Sequence, residues 1–194
     1  MSPKNIFAEY VIKLQGVLAE ADWSGVESLA QDMLECWSAG GQVFLCGNGG
    51  SAGNAIHLAN DWLYGVAKRS GGGMRVTALS ANPAVITCLA NDLGYEYIFS
   101  EQLAVQAQAG DLLIALSGGG NSPSIVRAID QAKAMGIKSY AVLGYDGGKC
   151  KDLADVPIHF HVNDMQIAED LQMIVGHMLT QWLYFNRPPA KRSY

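Results

Sequence analysis

Charge is scarce in this 194-residue sequence: Asp, Glu, Lys and Arg make up 16% of it, against 49% hydrophobic residues. That balance excludes a disordered chain, predicts a compact globule, and implies apolar surface buried between subunits. A net charge of −5 gives no electrostatic reason to bind nucleic acid. Basic residues gather only near the C-terminus (Arg187, Lys191, Arg192), beside two prolines, and read as a solvated tail over 186–194. Cysteine is sparse and scattered: Cys36, Cys46, Cys88 and Cys150 form no CxxC pair, which argues against a disulfide framework and for a reducing cytoplasm. Cys46 and Cys88 lie in apolar runs and read as small core residues. No stretch reaches membrane-spanning length, and no apolar run follows positive charges at the N-terminus. The expectation is a soluble cytoplasmic protein without a leader.

What is present is alternation. The length fits one domain, 1–194. Residues 5–38 carry helical spacing (Phe7, Val11, Leu14, Leu18; then Val26, Leu29, Met33, Trp37), so 1–40 reads as a helical hairpin with a packing or oligomerisation role. Five apolar runs follow, at 43–46, 75–79, 111–116, 139–143 and 156–162, each separated by a helical or turn segment. Uninterrupted apolar strands alternating with helices predict an α/β fold: a doubly wound, flavodoxin-like parallel sheet covered on both faces. Ligands of such sheets sit at the carboxyl ends of the strands.

The densest stretch is 42–61, QVFLCGNGGSAGNAIHLAND. It reads as a strand, a glycine turn and a helix capped by Ser51, whose free N–H groups suit a phosphate. GNGGSA also satisfies the dinucleotide fingerprint, but the next strand ends Leu79-Ser80-Ala81 and lacks the acid that would hold a ribose. A second loop after the third strand, SGGGNSP, repeats the pattern with Ser117 and with Ser122 before Pro123. Two such loops at one sheet edge predict a phosphate gripped from both sides. Neither is followed by a Walker lysine, which excludes the nucleoside-triphosphate loop. Further along the first helix, His57 and Asp61 are four residues apart and share a face. Trp62, Tyr64, Trp182 and Tyr184 read as core or interface aromatics, Lys68 and Arg69 as a solvated turn, and His159 and His161 are assigned nothing.

Four elements in order, GNGGSAxxAxH, ANDxGYExIFSxQ, Gly110-Asp111 and GNSP, resemble the phosphoheptose isomerases of the SIS (sugar isomerase) domain family. The resemblance implies a single SIS domain with a five-stranded parallel sheet. It also implies a homotetramer with active sites near subunit interfaces, one zinc per subunit, and conversion of sedoheptulose 7-phosphate to D-glycero-D-manno-heptose 7-phosphate. Carried over residue by residue, Asn48, Gly49, Gly50 and Ser51 match the substrate cradle, Asn91 and Asp92 a substrate-contacting pair, and Asp164 an acid before the last helix. His57 matches a zinc ligand, and His177 a ligand and acid/base. Asp61 replaces a glutamate that is ligand and general base, and Glu169 replaces a glutamine ligand. In the second loop Ser117-Gly118-Gly119 replaces Ser-Thr-Ser, while Ser122 remains.

These departures have chemical consequences. Asp61 is one methylene short, which withdraws the carboxylate by about 1.5 Å, and Glu169 adds a negative charge to the ligand set. Glu169 and His177 are about 12 Å apart along a helix, so both reach one ion only if their side chains lean together or neighbouring chains contribute. A second reading, a phosphosugar-binding or scaffold protein of the kind that assists a replication initiator, is motivated by Asp61, Glu169, Gly118 and Gly119. The retained His57 and His177 argue for the enzyme.

Overall fold

Alternate residues of each central strand feed two different cores, which is why the strands read as unbroken apolar runs. Val43 and Leu45 point to one face with Ile114, Leu116, Tyr140 and Val142. Phe44 and Cys46 point to the other with Leu113, Ala115 and Ala141. The computed structural model describes residues 5–68 and 72–189. Its sheet is five-stranded and wholly parallel, in the order β2-β1-β3-β4-β5. The strands are β1 Gln42–Gly47, β2 Arg75–Ala78, β3 Leu112–Ser117, β4 Lys138–Leu143 and β5 Val156–His159. The helices are α1 Ile6–Glu20, α2 Ser24–Ala39, α3 Gly49–Leu63, α4 Pro83–Asp92, α5 Ser100–Gln106, α6 Pro123–Ala134, α7 Gly148–Leu153 and α8 Met165–Asn186. Helices α2, α3 and α8 bury their apolar residues in the first core, and α5, α6 and α7 in the second. Strand order reverses between β1 and β3, so the turns after these two strands share the switch point where ligands bind.

Local chemistry sets several boundaries. β3 starts one residue later than the apolar run suggests, because the Asp111 carboxylate accepts from the Gln42 (2.7 Å) and Gln108 (2.8 Å) backbone N–H groups and ties β1 to β3 at their start. A 3-10 turn over Tyr95–Tyr97 precedes α5. Gly40, in the left-handed region at φ 81°, ends α2. α8 runs to Asn186, into the segment read as a tail, and Arg69, Lys191 and Arg192 lie outside the described residues. Cys88 is a correction. It is exposed on α4, a helix that buries nothing, and donates to Asp92.

The hairpin divides in two. α2 buries Leu29, Met33 and Trp37, whereas α1 buries no residue and leaves Ile6, Phe7, Val11 and Ile12 exposed. Polar contacts attach α1 to the start of α8: Tyr10 donates to Asp170 and Lys13 to Asp164. The Asp170 carboxylate, chiefly through that hydrogen bond, pushes the Tyr10 phenol up to about 12. Among the described residues no helix is long and apolar enough to cross a membrane.

Candidate active site

The first loop leaves β1 at Gly47, passes Asn48 in an extended conformation, and enters α3 at Gly49, whose φ of 55° favours glycine. The helix therefore starts two residues before Ser51. Ser51 is buried in its first turn, and its hydroxyl accepts from Gln172 of α8 at 3.0 Å. Asn48 holds the cap position, but its amide makes no capping bond. It donates to Ser124 Oγ and accepts from the Tyr95 hydroxyl, each at 2.9 Å. No side chain thus covers the first N–H groups of α3 with a cap, and they face the switch point with the helix dipole behind them.

The second loop is built to match. Ser122 occupies the cap position of α6 with Pro123 at its first turn, and its hydroxyl makes no capping bond either. Ser117 is spent internally, accepting from the Gly120 N–H at 3.0 Å. Gly49, Gly50, Ser117, Gly118, Gly119 and Ser122 line one cavity of about 320 Å³, together with Met165 and Glu169 from α8. The two glycines that replace hydroxyl residues are not equivalent. A Cβ on Gly119 would meet nothing within 4 Å, while one on Gly118 would lie 2.6 Å from the Met165 sulfur. Gly119→Ser is expected to tighten inorganic phosphate binding by about 1 kcal/mol, one added hydrogen bond. Gly118→Ser is expected to cost about 1 kcal/mol of stability as Met165 is forced aside. Calorimetric titration and thermal melts check the pair.

Asn91, Asp92 and Asp164 do not line this cavity. Asn91 and Asp92 end α4, exposed, with the Asn91 amide donating to Asp92 at 2.8 Å. Asp164 caps α8, accepting from the Gln166 and Ile167 N–H groups and from Lys13 at 2.8 Å. The Lys13 hydrogen bond, with support from those backbone N–H groups, holds the Asp164 carboxyl below its ordinary value of 3.8. A depressed carboxyl stabilises the fold above its unfolded pKa, and that contribution is lost as pH falls through the folded one. The stability difference between wild type and Asp164→Asn, measured by denaturant titration, is therefore expected to be constant well above pH 3.8 and to shrink as pH falls below it.

Two turns past the first loop, three side chains converge. His57 Nε2 and His177 Nε2 are 3.4 Å apart, and they stand 3.5 and 3.7 Å from Asp61 Oδ2. Among the described residues these three form a group able to hold a metal ion. Zinc bonds of about 2.0–2.2 Å arranged tetrahedrally would place neighbouring ligand atoms about 3.3–3.6 Å apart, close to the 3.4, 3.5 and 3.7 Å found between these atoms. Both histidine side chains are about half exposed, at 53% and 51%. Glu169, expected as a fourth ligand, is not in the group. Two turns up the helix, its carboxylate lies against Gly50, where an added Cβ would meet the oxygens at 2.3 and 2.4 Å.

Three residues positioning the site carried no role in the sequence reading. Tyr95 orients Asn48, and Gln172 bridges α8 to Ser51 while accepting from Asn54 at 2.9 Å. Gly176 lets the helices close: a Cβ there would lie 2.2 Å from Leu58 of α3. The only local signals for these were a tyrosine inside a loop motif and a glutamine and a glycine within an apolar helix.

A parallel sheet in this order, with two glycine–serine turns meeting at its switch point, is the architecture of the SIS domain, whose family model matches residues 6–144. The phosphoheptose isomerase of Fusobacterium nucleatum is 32% identical over 89% of this chain and 88% of its own, and that of Vibrio cholerae 38% identical over 80% and 81%. The solved structure of phosphoheptose isomerase GmhA from Neisseria gonorrhoeae aligns with a TM-score of 0.82 and 26% identity, covering 91% of this chain and 94% of that one. The chain belongs to the phosphoheptose isomerase branch of the SIS domain family.

Proposed function

We propose that this chain is a metal-dependent aldose–ketose isomerase that converts sedoheptulose 7-phosphate to D-glycero-D-manno-heptose 7-phosphate. The observation that carries the reading is the convergence of His57, Asp61 and His177 beside the two-loop cradle. Gly50 and His57 are seven residues apart on one face of α3, about 10.5 Å along its axis. An extended seven-carbon chain with its phosphate, built from single bonds of about 1.5 Å, spans about 10 Å. Phosphate at the loops therefore places the carbonyl end of a heptulose at the histidines.

His57, Asp61 and His177 would hold a divalent ion, for which zinc has the matching ligand chemistry. A bound ion supplies Lewis-acid polarisation of the carbonyl oxygen. Asp61 takes the proton from the carbon beside the carbonyl and, after exchange with solvent, delivers one to the former carbonyl carbon, while His177 moves the proton between the two oxygens. The helix N-termini at Gly49 and Pro123 hold the phosphate through backbone N–H groups.

A homotetramer would cover this half-exposed centre. Ile56, Tyr64, Met178 and Tyr184 on the outer faces of α3 and α8 are exposed, as is the apolar stripe of α1; together they offer the surface that subunits would bury. Free, buried Cys36, Cys46 and Cys150 suit a reducing cytoplasm. The test is purified protein with sedoheptulose 7-phosphate, zinc-loaded and chelated. Turnover that depends on zinc supports the reading; no turnover, with no zinc bound, removes it.

A further inference from the structure

The cradle described above contains a charge of the wrong sign for its ligand. Among the residues lining its cavity, Glu169 is the one that carries a formal charge; no lysine, arginine or histidine joins it. Its carboxylate lies on Gly50, at the entrance of α3, where a phosphate would meet the free N–H groups. The Asn54 amide donates to the backbone carbonyl of Glu169 at 3.0 Å and fixes this turn of α8 against α3. Among the described residues no side chain or backbone N–H pairs with its carboxylate.

We propose that Glu169 is the residue that sets the cradle's affinity for phosphate, acting as a resident anion that an incoming phosphate group must displace or tolerate. The proposal rests on the phosphosugar reading of the two loops. A carboxylate is favourable beside a helix N-terminus, so it stabilises the empty loop. The same charge opposes a second anion in a site only partly screened by water. The cradle is thereby tuned to release phosphate esters readily, and its grip on the sugar must come from the hydroxyl and carbonyl end. Glu169 is a specificity-determining residue of the phosphate subsite, separate from the histidine centre.

The experiment titrates inorganic phosphate into the intact wild-type protein and into Glu169→Gln and Glu169→Ala, by calorimetry or ³¹P NMR. Removing one like charge at about 5 Å in a partly solvated site is expected to tighten phosphate about tenfold in Glu169→Gln, and by at least as much in Glu169→Ala. The gain is expected to shrink with added sodium chloride, which a purely structural effect would not do. Equal or weaker binding in Glu169→Gln overturns the proposal. Tightening in Glu169→Ala alone also overturns it, by showing that bulk and not charge is at work. If the wild type and both variants bind neither phosphate nor sedoheptulose 7-phosphate, the phosphosugar reading falls and takes this proposal with it.

Discussion

Replacing His177 by alanine is expected to remove most of the protein's zinc affinity and to lower turnover of sedoheptulose 7-phosphate by about 10²–10⁴-fold. The ring nitrogen stands 3.4 Å from His57 and 3.7 Å from Asp61, so its loss leaves one histidine and one carboxylate on a single helix turn. Two adjacent ligands on a solvated surface hold zinc far more weakly than three converging from two helices. The fold should not suffer, because His177 is half exposed and its ring contact is with His57. Elemental analysis, steady-state rates and a thermal melt separate the effects. An unchanged rate with normal zinc content would place the chemistry elsewhere on the molecule.

Gly120→Ala is expected to be the most damaging small substitution in the second loop. Gly120 has φ 65°, and a Cβ there would lie 1.9 Å from the Gly147 carbonyl oxygen, a backbone atom that cannot turn aside. The same residue donates to Ser117 Oγ and accepts from the Cys150 N–H at 3.0 Å, so displacing it loosens both the phosphate loop and the start of α7. Left-handed strain with a backbone collision should cost about 3–4 kcal/mol, which lowers the melting midpoint of a chain this size by about 10 °C. Phosphate binding should fall with it. A melt indistinguishable from wild type would mean that the loop does not hold this conformation.

The fold was legible because its signals are local or periodic: apolar runs of strand length, glycine turns, and the hairpin's helical spacing. The two-loop cradle was legible for the same reason, since both loops announce themselves between a strand and a helix. Its details were not. Ser51 is as good a cap as Asn48 by residue type, and the choice is made by Ser124 and Tyr95, partners 76 and 47 residues away that hold the Asn48 amide. Cys88 sits in an apolar run, but it is exposed on α4, whose Ile86, Leu89 and Ala90 are the residues that pack against the second core. Helix rise alone set Glu169 and His177 about 12 Å apart. The structure resolves that tension by giving them different neighbours, Gly50 for one and His57 for the other. The apolar stripe of α1 is split: Leu14 and Leu18 pack against the first core, while Phe7 and Val11 stay exposed.

The most direct test of the isomerase reading is to incubate the zinc-loaded protein with sedoheptulose 7-phosphate in deuterium oxide and to follow both sugars by NMR. Base-mediated proton transfer predicts formation of the aldose phosphate with deuterium at the carbon next to the carbonyl, and loss of both product and label in Asp61→Asn. A wild-type protein that binds the sugar phosphate while forming neither product nor labelled substrate would contradict the account, and would mark this chain as a phosphosugar-binding protein that keeps the fold without the reaction.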